Sequence, residues 1–439
     1  MKKVLVLGAG LVAGPLVRYL LNVDEFTVTV ASRTVEKAQA LTGDAGNGIA
    51  LSLNVKDEAA LESLIADHDL SISLLPYVYH PTVARLCVKH RKQMVTTSYV
   101  KPEMQALDAE AKAAGVILLN EIGVDPGIDH MSAMEVVHQI EAKGGKLVSF
   151  TSNTGGLPAP DANDNPFGYK FSWAPRGVVL AGKNPAKFLK DGEVVDVPGP
   201  ELFSHHWPCQ IEGFGELEVY PNRDSMPYIE TYGIPTVTSM FRGTLRYPGW
   251  CDTLKKIADL GFLDETERGD IEGMTYGGLL ARFIKADGAD LTSDLAAFLN
   301  IPIDADPIVR MDWLGLLSDE AIPAADNTYL DVLASRMLAK MAYVPGERDM
   351  LVMQHEFVAE YADRTEKTTS TMIDYGIPGG DSSMSRLVGL PAAVAARMIL
   401  QGEINLTGVH VPMISEIYKP VLVELATMGI QFQETVKQL

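Results

Sequence analysis

The strongest constraint on the fold is a regular alternation of strand-like and helix-like patterns in the N-terminal part of the chain. Short apolar or β-branched runs occupy residues 3–7, 27–31, 50–55, 70–75, 94–97 and 116–119. Helical periodicity occupies residues 11–21, 35–41, 58–66, 81–90 and 103–114. Because strands separated by helices of this length form right-handed βαβ units, the sequence predicts an α/β fold with a doubly wound parallel sheet of the Rossmann type. Such sheets bind their ligands beyond the carboxyl ends of the strands.

The pattern changes after residue 145, and this change predicts a second domain. Residues 146–153 have the pattern of a strand, residues 155–166 form a loop rich in Gly, Pro, Asn and Asp, and strands separated by Pro and Gly turns continue to residue 247. Helical periodicity dominates from residue 253 to about 342, where β-branched runs are scarce. The remaining segments are two long strands that face each other, at 351–360 and 366–375, and two helices, at 388–401 and 416–428.

Charge and cysteine content argue against several classes of partner and site. The chain of 439 residues carries a net charge of −20, so it repels nucleic-acid phosphates and anionic membranes. No apolar run is long enough to predict a membrane span. Three widely spaced cysteines, Cys87, Cys209 and Cys251, form no CxxC pair, and the histidines form no HExxH motif. We therefore expect no metal, no disulfide framework and a reducing, cytoplasmic location.

A glycine pattern marks the first strand-to-helix turn. The segment Gly8-Ala9-Gly10-Leu11-Val12-Ala13 reads GxGxxA, follows a strand and opens a helix. Gly8 permits the tight turn, Gly10 lets the backbone approach a pyrophosphate, and Ala13 keeps the helix close to the strand. The pyrophosphate then lies on the free N–H groups of the helix N-terminus. The sequence predicts a dinucleotide site here; a glycine turn without a ligand is the alternative.

The end of the second strand distinguishes between the two nicotinamide dinucleotides. An enzyme that uses NAD usually has Asp or Glu there to bond the ribose 2′-hydroxyl, whereas this chain has Ser32, Arg33 and Thr34. A guanidinium pairs with a 2′-phosphate, and the two hydroxyls add hydrogen bonds. We therefore predict NADP as the cofactor. The alternative is a solvated arginine on the surface of the next helix.

Other residues predicted to bind the cofactor lie at or near strand ends of the same sheet. They are Leu11, Val12, Asn54, Val55, Leu75, Thr97, Ser98, Val124 and Pro126. Trp173, which follows the second-domain loop, is predicted to pack on the nicotinamide, with an ordinary core position as the alternative.

Seven further segments occur in an order that resembles the saccharopine dehydrogenase family of the NADP-dependent, glutamate-forming kind. They are NEIGVDPGIDH at 120–130, GGLPAP at 155–160, DNPFGYKFSW at 164–173, PNRDS at 221–225, RGTLRY at 242–247, WLGLLS at 313–318 and DYGIPGGDSS at 374–383. The resemblance covers nearly the whole chain. One departure is Thr154, where the family pattern often has a Cys before GGLPAP. We therefore assign no catalytic cysteine.

The resemblance implies three structural parts. These are a Rossmann NADP-binding domain at 1–125 that C-terminal helices at about 388–439 complete, a substrate-binding α/β domain at 126–250 and about 343–387, and an inserted helical subdomain at 251–342. It also implies the interconversion of saccharopine with L-glutamate and 2-aminoadipate 6-semialdehyde, which belongs to lysine metabolism. A small-molecule substrate and a homodimer are expected.

The residue types suit this chemistry on independent grounds. Saccharopine carries three carboxylates, and arginine binds carboxylates in a bidentate fork, so Arg223 and Arg246 are the predicted anchors, with Thr244 and Leu245 nearby. Arg176 and Arg242 are second choices. For each arginine the alternative is an ordinary ion pair.

The reaction also needs proton transfer and a means of orienting the substrate. Asp125 is the candidate for proton transfer, and Tyr99 and Ser98 for orienting the substrate. The alternatives are that Asp125 caps a helix or bonds the cofactor amide or the substrate amine, and that Tyr99 is a core aromatic residue.

Two other functions remain open at this point. Carboxynorspermidine synthase, with a similar fold, joins a diamine to aspartate semialdehyde; a cationic substrate should require carboxylates where saccharopine requires arginines. A non-catalytic NADP-binding protein is the third hypothesis, and the full set of polar segments argues against it.

Overall fold

The computed structural model describes residues 1–172, 175–287 and 289–439, and they form two compact units. The first unit consists of Met1–Gly144 and Gly380–Gln433. The second unit consists of Gly145–Gly379 and Glu434–Leu439.

Strands and helices alternate through the first 144 residues. The strands are β1 (Lys2–Leu7), β2 (Phe26–Ser32), β3 (Gly48–Ser52), β4 (Leu70–Ser73), β5 (Gln93–Thr96) and β6 (Ile117–Leu119). The helices are α1 (Ala13–Leu21), α2 (Val35–Thr42), α3 (Glu58–Asp67), α4 (His80–His90), α5 (Pro102–Gln105), α6 (Asp108–Ala114) and α7 (Ile128–Ala142).

Long strands and a run of helices make up the second unit. The strands are β7 (Lys146–Pro158), β8 (Ala186–Lys190), β9 (Glu193–Val197), β10 (Trp207–Ile211), β11 (Gly215–Pro221), β12 (Ser239–Arg246), β13 (Asp349–Glu360) and β14 (Thr365–Tyr375). The helices are α8 (Pro175–Ala181), α9 (Pro227–Thr231), α10 (Trp250–Asp259), α11 (Tyr276–Ile284), α12 (Leu291–Leu299), α13 (Asp306–Leu314) and α14 (Tyr329–Lys340). The chain ends with α15 (Ser383–Gln401), β15 (Gly408–His410), α16 (Ser415–Thr427) and β16 (Gln433–Gln438).

The first unit contains a seven-stranded sheet in the order β15-β6-β5-β4-β1-β2-β3, and every pair in it is parallel. This is the doubly wound arrangement that the alternating pattern predicts, and the strand order reverses between β1 and β4. Because both neighbours of a central strand are hydrogen-bonded, β1 and β4 are buried at Val4 to Leu7 and throughout Leu70–Ser73.

Helix α15 shows how the C-terminal segment stabilises the first unit. It packs on α1, where Gly389 lies so near the Val12 carbonyl that an added Cβ would come within 2.8 Å of the carbonyl oxygen. Arg397 donates to Tyr19 Oη at 2.9 Å and to Glu424 at 2.6 Å. Although α15 is apolar and long enough to cross a membrane, 61% of its most apolar window is buried in the structure, as in a core helix.

A mixed sheet organises the second unit. Its main path is β10-β11-β12-β7-β13-β14-β16, with β8 and β9 attached beside β12. β12 runs parallel to β7, whereas β13 pairs antiparallel with both β7 and β14. The second fold prediction is thereby confirmed: a mixed sheet accompanies the parallel one, and the long strands predicted at 351–360 and 366–375 do face each other.

Helices α10 to α14 share one hydrophobic core with this sheet. Leu157 and Leu245 from the strands join Trp250, Leu279 and Met337 from the helices in that core. The helical periodicity from residue 253 to 342 is therefore real, and its helices lie within the second compact unit.

Several element bounds differ from the sequence pattern for identifiable reasons. Strand β7 continues to Pro158 through the glycines of GGLPAP, because β13 pairs with it along that whole length. β16, which the sequence did not predict, follows α16. The first unit runs to Gly144 instead of 125, since α7 packs on α16 through the His138–Tyr418 hydrogen bond of 2.7 Å.

Candidate functional site

A cavity of about 370 Å³ lies in the first unit, beyond the carboxyl ends of β1, β2 and β4. This is where the strand order reverses and where doubly wound sheets bind their ligands. Eight of the predicted cofactor residues line it: Gly8, Gly10, Ser32, Arg33, Thr34, Asn54, Val55 and Leu75. These eight residues therefore share one cavity, and their role in binding the cofactor stays a prediction.

The glycine turn has the conformation that close ligand approach requires. Gly8 has a φ of +113°, and a Cβ added there would lie 3.1 Å from the Leu74 carbonyl oxygen, so only glycine fits. A Cβ added to Gly10 would meet no atom within 4 Å, which leaves open space above the backbone. No side chain caps the N-terminus of α1, and its first turn contains no acidic residue. The turn thus suits an anionic ligand.

The charge of this cavity favours a ligand that carries an extra phosphate. Arg33 lines it together with Lys37 and Lys56, two cations that the sequence reasoning did not assign. All three side chains are exposed, and none of the lining residues that the structure describes is Asp or Glu. Lys37 and Lys56 follow the carboxyl ends of β2 and β3, which meet at the same edge of the parallel sheet, but this position alone does not show which side chains turn toward the cavity. The residues present fit NADP.

The other predicted cofactor residues do not line this cavity. Leu11, Val12 and Ala13 follow the glycine turn. Leu11 is 77% exposed, Val12 is the residue before α1, and Ala13 is buried. Thr97, Ser98, Val124 and Pro126 lie on two loops at the carboxyl ends of β5 and β6. Trp173 lies outside the described residues, so its predicted contact with the nicotinamide stays a prediction.

Two predicted catalytic residues meet at those loops. The Tyr99 hydroxyl donates a hydrogen bond to Asp125 Oδ1 at 3.2 Å, and both side chains are half-buried. The turn around Asp125 depends on glycine, since Gly127 has a φ of +146° and an added Cβ would lie 2.1 Å from the Gly123 carbonyl oxygen. A hydrogen-bonded carboxylate and phenol are suited to moving and orienting protons.

Ser98 has a buried partner that the sequence did not single out. His80 Nε2 lies 2.8 Å from Ser98 Oγ, and His80 Nδ1 lies 2.9 Å from Ser73 Oγ. Burial lowers the pKa of His80 to about 4, so the ring is neutral near pH 7 and presents one donor and one acceptor. The ring therefore fixes the Ser98 hydroxyl without adding charge. His80 is the first residue of α4, well beyond the end of β4 at Ser73, so no strand-end signal pointed to it.

In the second unit, Arg246 is buried among aromatic rings. Its guanidinium carbon lies 4.9 Å from the ring centroid of Tyr169, 5.4 Å from that of Trp250 and 5.8 Å from that of Tyr220. Arg246 Nη1 donates to the Leu245 carbonyl at 2.7 Å, while Nε has no hydrogen-bond partner among the described residues. A buried cation with donor capacity to spare can take a carboxylate.

Strand β12 aligns the neighbouring predicted residues. Thr244 pairs with Thr154 on β7 and with Tyr220 on β11. Thr154 has a buried hydroxyl without a partner in the described part of the chain. Leu245 is fully buried in the core, opposite Val219 of β11, and its carbonyl oxygen accepts the Arg246 hydrogen bond.

The other arginines differ sharply in environment. Arg223 is exposed at the end of β11 with a φ of +57°, an uncommon conformation for a residue with a side chain. Arg242 is buried and lies over the Tyr228 ring at 4.2 Å. Arg176 pairs on the surface with Asp331 at 2.9 Å and with Glu265 at 3.2 Å. For this residue the alternative, an ordinary surface ion pair, fits the structure.

One group of potential metal ligands occurs in the described residues. Atoms of His206, Glu218 and Cys251 lie within 4.8 Å of one another. Both oxygens of Glu218 already accept backbone N–H groups, from Gly249 at 2.9 Å and from Cys251 at 2.6 Å. The carboxylate therefore caps the N-terminus of α10, which explains why it is buried there.

Comparison with known proteins identifies both parts of the chain. The model of the saccharopine dehydrogenase NADP binding domain matches residues 4–119, and that of the saccharopine dehydrogenase C-terminal domain matches residues 123–430. Saccharopine dehydrogenase (NADP+, L-glutamate-forming) of Schizosaccharomyces pombe is 42% identical over 99% of both chains. The same-named protein of Saccharomyces cerevisiae is 41% identical over 99% of both chains.

A solved structure agrees with these sequence matches. The structure of saccharopine dehydrogenase (L-Glu forming) from Saccharomyces cerevisiae superposes with a TM-score of 0.93 at 40% identity and covers 100% of both chains. The mitochondrial alpha-aminoadipic semialdehyde synthase of Bos taurus is 39% identical over 99% of this chain, which corresponds to 48% of that longer protein.

Proposed function

This chain belongs to the saccharopine dehydrogenase family, and from that premise we infer that it is an NADP-dependent, L-glutamate-forming saccharopine dehydrogenase. It interconverts saccharopine with L-glutamate and 2-aminoadipate 6-semialdehyde. The observation that carries this function is the 42% identity to an enzyme of that name over 99% of both chains. The basic cavity at the glycine turn agrees with it, because three cations and no Asp or Glu are found among its described lining residues, which suits NADP.

Different residues of the cofactor cavity bind different phosphates of NADP. The glycine turn and the N-terminus of α1 take the pyrophosphate, and Arg33, Lys37 and Lys56 take the 2′-phosphate. When bound, NADP+ supplies the hydride acceptor for oxidation of the carbon that becomes the aldehyde. The chain itself must bind the substrate and handle the protons.

Asp125 and Tyr99 are proposed to handle the protons. Oxidation of the C–N bond requires loss of a proton from the secondary amine nitrogen, and hydrolysis of the resulting imine requires proton transfer to and from water. Asp125 accepts and returns these protons, and the Tyr99 hydroxyl, 3.2 Å from Oδ1, orients the carboxylate. Ser98, held by His80, binds the substrate beside this pair.

Arg223 and Arg246 are proposed to anchor carboxylates of saccharopine. The spare donor of Arg246 and its aromatic surroundings support this role, since a guanidinium in a water-poor site binds a carboxylate more strongly than one in water. The positive φ of Arg223 supports it as well, because unusual backbone conformations of residues with side chains cluster at ligand sites. Thr244 and the backbone of Leu245 add hydrogen bonds.

A comparison of two substrate pairs, assayed separately, tests the function directly. NADPH oxidation is followed with L-glutamate plus 2-aminoadipate 6-semialdehyde and, separately, with a diamine plus aspartate semialdehyde. We expect turnover with the first pair only, with saccharopine as the product identified by mass spectrometry. Turnover with the diamine pair alone would retain the cofactor assignment and overturn the substrate.

We also propose that the enzyme is a cytoplasmic homodimer that binds neither nucleic acid nor membrane. Free cysteines support a reducing compartment, and the net charge of −20 supports the lack of anionic partners. An apolar surface around Trp207, 39% exposed beside Phe188 and Phe241, supports a second copy as the partner. Sedimentation equilibrium measures the mass in solution, and we expect a value near twice the 47.6 kDa of one chain. The mass of a single chain would refute the dimer.

A further inference from the structure

We propose that Glu121 is a positioning residue. It joins two loops of the first unit and so fixes the position of Tyr99 relative to Asp125. The loops are the Ser98 loop, residues 97–100, and the Asp125 loop, residues 120–127. The inference rests on the proposed function for its kinetic consequence, but the joining of the loops can be measured without turnover.

Glu121 contacts the Ser98 loop on both sides of Tyr99. Its backbone N–H donates to the Ser98 carbonyl at 3.1 Å, and its Oε1 accepts the Val100 N–H at 2.8 Å. Together with the Tyr99–Asp125 hydrogen bond of 3.2 Å, these contacts close a ring between the two loops. The backbone of Tyr99 therefore cannot shift relative to Asp125 without breaking a contact of Glu121.

The second carboxylate oxygen of Glu121 is fixed from the interior. Oε2 lies 2.9 Å from Nε2 of His130, a residue with no solvent exposure on α7. Asp129 lies beside that ring at 3.7 Å from Nδ1, and its Oδ1 accepts the Gly127 N–H at 2.6 Å. Because both oxygens of Glu121 are engaged, its side chain has one orientation and transmits the position of α7 to the Ser98 loop.

The backbone of Glu121 adds an independent observation. Glu121 has a φ of +58° and is 6% exposed. Glutamate is not among the residues that adopt this conformation readily, and it persists where surrounding contacts over-determine it. Gly123 brings the loops closer still, since an added Cβ there would lie 3.1 Å from Thr97 Cβ.

Three substitutions separate positioning from plain stability. Glu121→Ala removes both side-chain contacts. Glu121→Asp keeps the charge but is one methylene too short to span from Val100 to His130. Glu121→Gln keeps an oxygen for the Val100 N–H, and its amide N–H can donate to His130 Nε2 when the imidazole carries its proton on Nδ1, beside Asp129, so it serves as the conservative rescue. NADPH binding, measured by fluorescence titration, reports that the first unit is folded, because the cofactor cavity lies at β1, β2 and β4.

We expect Glu121→Ala and Glu121→Asp to lower kcat by roughly 10- to 100-fold, the cost of a small misplacement at a reacting centre. The Kd for NADPH should stay within about twofold of wild type, and Glu121→Gln should recover most of kcat. If Glu121→Ala fails to fold, Glu121→Asp and Glu121→Gln carry the comparison. A wild-type kcat in Glu121→Asp would overturn the proposal. So would an equal decrease of kcat in Glu121→Asp and Glu121→Gln.

Amide hydrogen exchange gives the readout that does not depend on the substrate. In Glu121→Asp, the peptide that covers residues 97–101 should exchange at least about tenfold faster than in wild type, while a peptide from β1 and α1 should be unchanged. Unchanged exchange at 97–101 would overturn the joining of the loops. Failure of the wild type to turn over saccharopine would instead overturn the proposed function and leave the exchange result intact.

Discussion

The two units present their cations in opposite ways. In the first unit, Arg33, Lys37 and Lys56 are exposed around the cofactor cavity, on the segments that follow two neighbouring strands. In the second unit, Arg246 and Arg242 are buried against aromatic rings within strand β12. An exposed cation is hydrated until a ligand arrives and adds little to stability, whereas a buried one is part of the packing.

Substitutions in the two units should therefore have different effects. Changes to the first unit's cations should alter cofactor choice with little effect on folding. Changes to the buried Arg246 and Arg242 of the second unit should alter substrate binding and stability together. The loops of the first unit that hold Tyr99 and Asp125 are a third case, in which chemistry should be affected more strongly than binding.

The largest effect is expected for Asp125→Asn, which sharpens the comparison by isolating chemistry from binding. Loss of the proton acceptor should lower kcat by about 100- to 10,000-fold, the usual worth of general acid–base catalysis. The KM for L-glutamate and the Kd for NADPH should change by less than about threefold. Steady-state kinetics and fluorescence titration measure these quantities, and full turnover in Asp125→Asn would remove the proton-transfer role.

Arg246→Lys tests the buried class of cation. Lysine lacks the planar fork, so kcat/KM should fall by about 10- to 100-fold, equivalent to the loss of one charge-assisted hydrogen bond of about 1.5–3 kcal/mol. The loss should be in the KM for the carboxylate substrates, and the melting temperature should fall as well, because the aromatic contacts are lost. The matched control is Arg176→Lys, whose ion pairs lie on the surface; we expect its kinetics within about twofold of wild type. Equal behaviour of the two variants would break the comparison.

Arg33→Ala tests the exposed class. The kcat/KM for NADPH should fall by about 10- to 100-fold and that for NADH should be nearly unchanged, since only NADPH carries the 2′-phosphate. Thermal stability should stay at the wild-type value. Arg85→Ala removes an exposed arginine of the same unit outside the cavity and should change neither cofactor. A parallel loss with both cofactors would show that Arg33 does not read the 2′-phosphate.

The smallest effect is a dependence of stability on pH that comes from His80. Burial lowers the pKa of His80 to about 4 from its ordinary 6.5, so below pH 6.5 the unfolded state binds a proton that the folded state excludes. The contribution is fully present above pH 6.5 and is lost as pH falls toward 4, about 2 kcal/mol between pH 7 and pH 5.

His80→Asn should remove this part of the pH dependence. Denaturant unfolding at the two pH values measures the free energy of unfolding in each protein, and the drop from pH 7 to pH 5 should be smaller in the variant by about 2 kcal/mol. Burial also lowers the pKa of His68, which contributes equally to both proteins. Identical drops would mean that His80 is not held neutral by the fold.

The first unit was the easier one to predict from the sequence, and its topology explains why. Parallel strands end at one edge of the sheet, so the glycine turn and the Ser32-Arg33-Thr34 segment identified cavity residues without any knowledge of the structure. Lys37 and Lys56 were missed because nothing in a single strand shows which residues of the next helix or loop turn toward the same edge. His80 and Glu121 were missed because their roles are contacts with another loop.

The second unit was predicted in outline only. The long strands β13 and β14 and the helical region follow their periodicity, but the mixed sheet joins segments as distant as β7 and β13, and no local pattern gives that pairing. Arg246 was identified by its residue type, whereas its aromatic surroundings come from Tyr169, Tyr220 and Trp250, which lie on separate segments. The wrong end of β7 has the same cause, since pairing with β13 overrides the turn preference of GGLPAP.

If the first unit's cavity recognises the 2′-phosphate, this chain forms saccharopine with NADPH in preference to NADH. The most direct test is the ratio of kcat/KM for NADPH to that for NADH, measured with L-glutamate and 2-aminoadipate 6-semialdehyde. We expect turnover with a ratio of about ten or more, which corresponds to at least one charge-assisted contact to that phosphate. A ratio near one or below, or no turnover with either cofactor, would contradict it.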